Sequence, residues 1–303
     1  MKQIPTIPIY GCLLTLYCSL MFIWPFPLPN AAASEKIPVF VSIPPQKYFV
    51  KSIGGNLTSV SVMVQPGASP TTYEPKPKQM VKLSKCKLYF AIGVPFEASW
   101  LPRITRTNSS IRIVHTDKNI EKRQMATAHS SHGNPDPTDD IKDPHIWLSP
   151  PLVKIQAETI LNALVAENPA ASRQFKENYS RFIQSIDTLD SELRETLSGI
   201  QTTDFMVFHP SWGYFADTYG LKQIPIEIEG KSPKPAQLKS LISFAKRENI
   251  KIIFAQPQFS TQNAEMVAKS IGGKVVFADP LAFEWSENLR KQASAFKSAL
   301  RHR

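Results

Sequence analysis

From residue 38 onward, short apolar runs alternate with longer stretches in which apolar residues recur every three or four positions. Strands are predicted over Val39–Ser42, Val60–Val64, Leu88–Ile92 and Arg112–His115, and again over Phe205–Phe208, Gln223–Ile228, Lys251–Ala255 and Lys274–Phe277. Each run is short and rich in Val, Ile and Phe, as a buried strand requires. Helical patterns lie between them, among them Gln79–Ser84, Pro235–Glu248 and Gln262–Ser270. Strands separated by helices predict βα units and mostly parallel sheets, hence an α/β fold with two similar lobes.

Between the two sets of strands runs one long helical pattern. Phe175, Tyr179, Phe182, Ile183, Ile186, Leu189, Leu193 and Leu197 fall on a single stripe. Asn168 is the expected N-cap, Pro169 the first helical residue and Gly199 the residue just past the end. No Gly or Pro interrupts 170–198, so one continuous helix is expected, roughly 45 Å long at ~1.5 Å per residue. The domain plan is therefore a signal peptide over 1–33, a first lobe over 34–168, a linking helix over 169–199 and a second lobe over 200–303.

The N-terminal segment follows another logic. Lys2 precedes a mostly apolar run, Leu13 to Ile23, and Ala31-Ala32-Ala33 supplies small residues before Ser34. This is the order of a secretory signal, cut after Ala33. The apolar run is too short for a membrane anchor, and Pro25, Pro27 and Pro29 interrupt it. Cys12 and Cys18 leave with the signal, so Cys86 remains alone and an intramolecular disulfide is excluded.

The net charge is +10. Its densest cluster, Lys76, Lys78, Lys82, Lys85 and Lys87, falls on a predicted surface helix, and no aromatic-basic interleaving points to nucleic acid. Residues 125–142 have no apolar period and contain His129 and His132; they are expected to form a mobile loop.

Three strong metal-ligand types stand beside strand ends or turns. His209 follows the strand ending at Phe208, Asp279 follows the strand ending at Phe277, and His145 lies in Asp143-Pro144-His145. Ligands of α/β sheets bind at the carboxyl ends of strands, and a proline beside each candidate restricts its backbone. Two neutral imidazoles and a carboxylate suit a divalent ion such as zinc.

The segments VSIPPQKYFV, GASPTTYEPKP, GVPFEASWL, DPHIWLSP, FHPSWGYFADTYGL, IEGKSPKPAQL, IIFAQPQF and ADPL occur in this order between about residues 38 and 300. In order and spacing they resemble the metal-binding solute receptors of zinc and manganese ABC importers. The resemblance implies two α/β lobes joined by one long helix, a metal held between them, a periplasmic location, an ABC permease as partner, and a monomer that is not an enzyme. It implies His145, His209 and Asp279 as ligands. Histidine at 209 resembles the zinc-type members, so Zn2+ is the expected cargo ahead of Mn2+. Thr71 stands where the family carries a fourth ligand, a histidine.

Four readings of Thr71 follow: a water completes the site, His129 or His132 does, the cargo is another metal or a metal chelate, or the site has lost its role. The first is the reading adopted. A metal-dependent hydrolase is the alternative from another class, because three protein ligands and a water also describe a catalytic zinc. No HExxH motif supplies its general base.

Trp147, Trp212 and Phe215 are expected around the cleft, and Phe96, Trp100 and Cys86 within the first lobe. Glu97 is read as a ligand neighbour or a helix-terminal charge, and Glu227 and Glu229 as a solvated or docking rim.

Overall fold

A computed structural model of the protein describes Met1, Gln3 and residues 35–126, 141–227 and 233–301. The predicted signal segment, the loop histidines His129 and His132, and Glu229 lie outside the described residues. Everything below concerns the compact unit Glu35–Arg303.

The first half contains β1 (Ile37–Val41), α1 (Pro44–Gly54), β2 (Thr58–Val62), α2 (Pro77–Leu83), β3 (Leu88–Ala91), α3 (Pro95–Thr107), β4 (Arg112–His115) and α4 (Pro150–Glu167). Helix α5 (Ser172–Leu197) follows. The second half contains β5 (Asp204–Val207), α6 (Gly213–Tyr219), β6 (Lys222–Pro225), α7 (Pro235–Arg247), β7 (Ile252–Ala255), α8 (Gln262–Ser270), β8 (Lys274–Phe277) and α9 (Trp285–Arg301). Among the described residues the strands form two four-stranded parallel sheets, ordered β2-β1-β3-β4 and β6-β5-β7-β8. The two orders are the same, so the lobes repeat one topology.

One starting device recurs. α1, α2 and α7 each open with proline at the first or second position and glutamine at the third. The glutamine Oε1 reaches back to the amide before the helix: Gln46 to Ile43 N, Gln79 to Lys76 N and Gln237 to Lys234 N, at 3.3, 2.9 and 2.8 Å. Proline gives up no needed N–H in the first turn, and the glutamine satisfies one that is otherwise orphaned.

α5 buries Phe175, Phe182, Ile186, Leu189, Leu193 and Leu197, six members of the predicted stripe. It runs for 26 residues without a break, about 39 Å at ~1.5 Å per residue. Its start adds one detail to the expectation. Asn168 ends α4, its amide bonded to Leu164 O at 2.9 Å, and Pro169–Ala171 forms a separate turn of 3-10 helix. Asn168 thus closes α4 and also stands before Pro169, the first residue of the turn that leads directly into α5 at Ser172.

Aromatic packing joins the halves. Phe49 of α1 meets Trp285 of α9 edge-on at 5.1 Å, and Phe182 of α5 lies 5.9 Å from Phe49. Trp147 Nε1 donates to Pro280 O and Trp285 Nε1 to Trp147 O, both at 2.7 Å. Each aromatic pair adds about 0.5–1.5 kcal/mol beyond its burial, so this seam resists wide opening. Among the described residues, no helix is long and apolar enough to cross a membrane.

Candidate metal centre

In each sheet the winding reverses beside the first strand, and a crevice is expected where the carboxyl ends of the reversing strands part. In the first lobe that place is filled from within. Glu97, 3% exposed, accepts bonds from Ser42 Oγ at the end of β1 and from Ile92 N and Gly93 N after β3, the last two at 2.9 and 2.8 Å. Burial raises its pKa, and these three donors oppose the rise. Glu97 therefore ties the loops of the first lobe together.

In the second lobe the same place carries His209 after β5 and Gln258 after β7. The His209 backbone is fixed by Gln256, which accepts from His209 N at 3.1 Å and donates to His209 O at 2.7 Å. The β5–β6 ladder runs on past the strands: Ile226 N bonds Val207 O and Glu227 N bonds Phe208 O, at 2.8 and 2.9 Å. That extension sets Glu227 beside His209. Its Oε1 lies 3.1 Å from His209 Nδ1, and the residue is 4% exposed. The solvated or docking role read for Glu227 is thus corrected: it is a buried partner of a histidine.

His145 is held in the same way. Asp143 Oδ1 accepts from His145 N at 2.9 Å and lies 2.7 Å from His145 Nδ1. Asp143 is fully buried, with Arg123 Nε 3.9 Å from its second oxygen. Tyr214 of α6 donates to Asp143 O and accepts from Arg123 N, both at 3.0 Å. Gly213 is needed at this point, since a Cβ there would lie 2.6 Å from Arg123 Nη1 and 2.9 Å from Asp143 Oδ2. Burial lowers the pKa of His145, and Asp143 opposes that effect.

A carboxylate facing Nδ1 fixes the proton there and leaves Nε2 with its lone pair. Both histidines therefore present Nε2. Their ring centroids are 5.3 Å apart. They line a cavity of about 40 Å³ with Thr71, Trp147, Gln258 and Phe259, large enough for an ion with a small number of waters. Thr71 is exposed on this wall, its amide bonded to Ser69 Oγ at 3.2 Å.

Asp279 stands at the rim, just before Pro280 and Leu281 of the cavity wall. Its Oδ1 accepts from Gln258 Nε2 at 2.7 Å and from Leu281 N at 2.9 Å. Among the described residues no three His, Cys, Asp or Glu side chains are gathered tightly enough to enclose an ion in this conformation. The structure brings the two histidines together and leaves the carboxylate engaged with Gln258.

Of the other expected residues, Trp147 lines the cavity, whereas Trp212 and Phe215 pack on Phe296 at 5.2 and 5.5 Å in the core. Phe96 and Cys86 are buried in the first lobe, and Trp100 is partly buried under Arg103. His115, more than half exposed, faces Asp117 at 3.7 Å. Asp143, Glu227, Gln256 and Gln258 were not singled out from the sequence as site residues. For Asp143 a signal existed, its place two residues before a ligand-type histidine.

Two parallel-sheet lobes sharing one long helix, with imidazoles facing each other in the cleft, define a metal-binding solute receptor. The model of the periplasmic zinc-uptake complex component A, ZnuA, matches residues 39–299, and the chain belongs to that family. The high-affinity zinc uptake system protein ZnuA of Bacillus subtilis (strain 168) is 26% identical over 246 residues, 79% of this chain and 77% of its own length. The zinc-binding protein AdcA of Streptococcus pyogenes serotype M3 is 26% identical over 283 residues, 87% of this chain; the chain spans 54% of AdcA's length. A crystal structure of ZnuA is 40% identical with a TM-score of 0.82, covering 88% of this chain and 99% of that one. A zinc-bound ZnuA lacking residues 138–173 matches with the same identity and TM-score, over 88% and 98%.

Proposed function

We propose that the protein captures a divalent metal ion, zinc first, between its lobes and delivers it to an ABC permease. The observation that carries this reading is the pair of carboxylate–imidazole couples, Asp143–His145 and Glu227–His209, whose rings meet at one small cavity. Imidazoles oriented by carboxylates are the usual arrangement of zinc ligands.

His145, His209 and Asp279 are the ligands in this reading. Two bind through Nε2. Asp279 binds through Oδ2, drawn inward by the ion while Gln258 and Leu281 N keep their hold on Oδ1. A water takes the fourth place beside Thr71, or His129 or His132 takes it. Neutral imidazoles and an ionised carboxylate are required, so binding competes with protons. The packed aromatic seam favours small lobe tilts over a wide clamp motion.

The protein acts as a monomeric periplasmic receptor, exported by a signal cut after Ala33, and makes and breaks no covalent bond. Membership of an uptake family favours this over a zinc hydrolase. Titration of the purified protein with zinc and with manganese tests the reading: saturable zinc binding without metal-dependent esterase or phosphatase turnover is expected. A folded protein that binds neither metal, or that hydrolyses esters only when metal is present, would overturn it.

A further inference from the structure

Apart from the metal cleft, the first lobe carries a groove of about 940 Å³ beside its edge strand β2. Val60 and Val62 of β2 and Phe283 from the segment after β8 supply apolar surface. Lys47 of α1 and Lys76, Lys78 and Lys82 at or on α2 surround it, and no carboxylate lines it. Lys76, Lys78 and Lys82 are exposed, and none of the four lysines forms an ion pair among the described residues. Lys47 instead lies over the Phe283 ring at 5.5 Å. Four like charges around one concavity repel each other with no carboxylate on the groove wall to offset them, and they raise the local concentration of anions.

We propose that this groove docks an acidic polypeptide segment, with an apolar side chain against Val60, Val62 and Phe283 and carboxylates against the lysines. Three features favour that occupant. A planar bilayer would reach the exposed lysines of α2 but not the recessed valines. A small anion such as phosphate would leave the apolar surface and most of the volume unused; grooves of this size suit larger ligands, about 300–1,000 Å³. An added β-strand is blocked at the end of β2, because Gln79 and Gln65 side chains already donate to Met63 O and Val62 O at 2.6 and 3.0 Å. The occupant is therefore held by charge and an apolar anchor rather than by strand pairing. Phe283 lies on the same short segment as Asp279, so a docked partner touches the stretch of chain that also reaches the metal cleft.

The test is fluorescence anisotropy of a fluorescein-labelled peptide of Asp, Glu, Leu and Phe, titrated with the zinc-loaded, purified protein at low salt. Saturable binding is expected. It should weaken at least tenfold in the Lys78→Glu/Lys82→Glu variant and again in Val60→Ser, and should not change in Lys239→Glu on the far lobe. Replacing Asp and Glu of the peptide by Asn and Gln should abolish it. Unchanged zinc binding in each variant serves as the check on folding. No saturable binding, or binding indifferent to the two lysines, would overturn the proposal. So would lysine-dependent sedimentation with phosphatidylglycerol vesicles in the absence of peptide binding.

Discussion

Replacing Glu227 tests the outer support of the metal site. Glu227→Ala removes the oxygen 3.1 Å from His209 Nδ1 while leaving both imidazoles and Asp279 in the chain. Glu227 is 4% exposed, so solvent does little to screen the contact. A hydrogen bond to a charged group contributes about 1.5–3 kcal/mol. At about 1.4 kcal/mol per decade, the zinc Kd should rise roughly 10–150-fold, in line with the ~10–100-fold losses that follow removal of such outer partners. Glu227→Gln keeps an oxygen acceptor and loses only the charge, so it should fall between the parent and the alanine variant. The assay is competition with a chromophoric zinc chelator at fixed pH, with circular dichroism confirming the fold. A Glu227→Ala Kd within about threefold of the parent, well below the expected loss, would refute the claim that this carboxylate sets the ligating tautomer of His209.

Thr71→His should tighten zinc binding at least tenfold by filling the fourth place on the cavity wall; unchanged affinity in the same competition assay would mean that another group already holds that place. The lowered pKa of His145 gives a signed pH effect on the metal-free protein. The unfolded chain takes up this proton near the ordinary histidine pKa of about 6.5, the folded protein only at lower pH, so the contribution to stability is intact above about 6.5 and is lost as pH falls through the lowered value. Thermal melts should therefore decline less steeply with acidification in His145→Gln than in the parent, and parallel declines would contradict this. Burial pushes the Cys86 thiol up to about 11, so in the protein cut after Ala33 a disulfide reagent at neutral pH should react only on unfolding; rapid labelling of the folded protein would place Cys86 at the surface.

The parts of the fold set by apolar periodicity were legible in the sequence. All eight predicted strands lie within a few residues of the observed ones, and the stripe from Phe175 to Leu197 is buried on one helix. A period of two residues in a strand or about 3.6 in a helix needs only local chain geometry. Asn168 and Pro169 carry the signals of a helix start, and they do open the 3-10 turn that leads into α5; what those signals do not reveal is that α4 also ends at Asn168 and that the first turn is 3-10 rather than α. The ligand-type residues were visible because histidine and aspartate at strand ends are distinctive. Their supports were not. Glu227 is 18 positions from His209 and meets it only because the β5–β6 ladder continues past its strands. In composition it looks like any other surface glutamate of a charged rim. Gln258 was hidden for a similar reason: its contact with Asp279 joins the ends of two strands whose pairing the sequence does not specify residue by residue.

Calorimetric titration of the metal-stripped protein with zinc, alongside His145→Ala and His209→Ala, tests the central claim most directly. One zinc per chain is expected for the parent, with loss of saturable binding in each variant while the fold persists. Undiminished zinc binding in both variants would place the metal elsewhere, and no binding in the parent would end the reading of this cleft as a metal receptor.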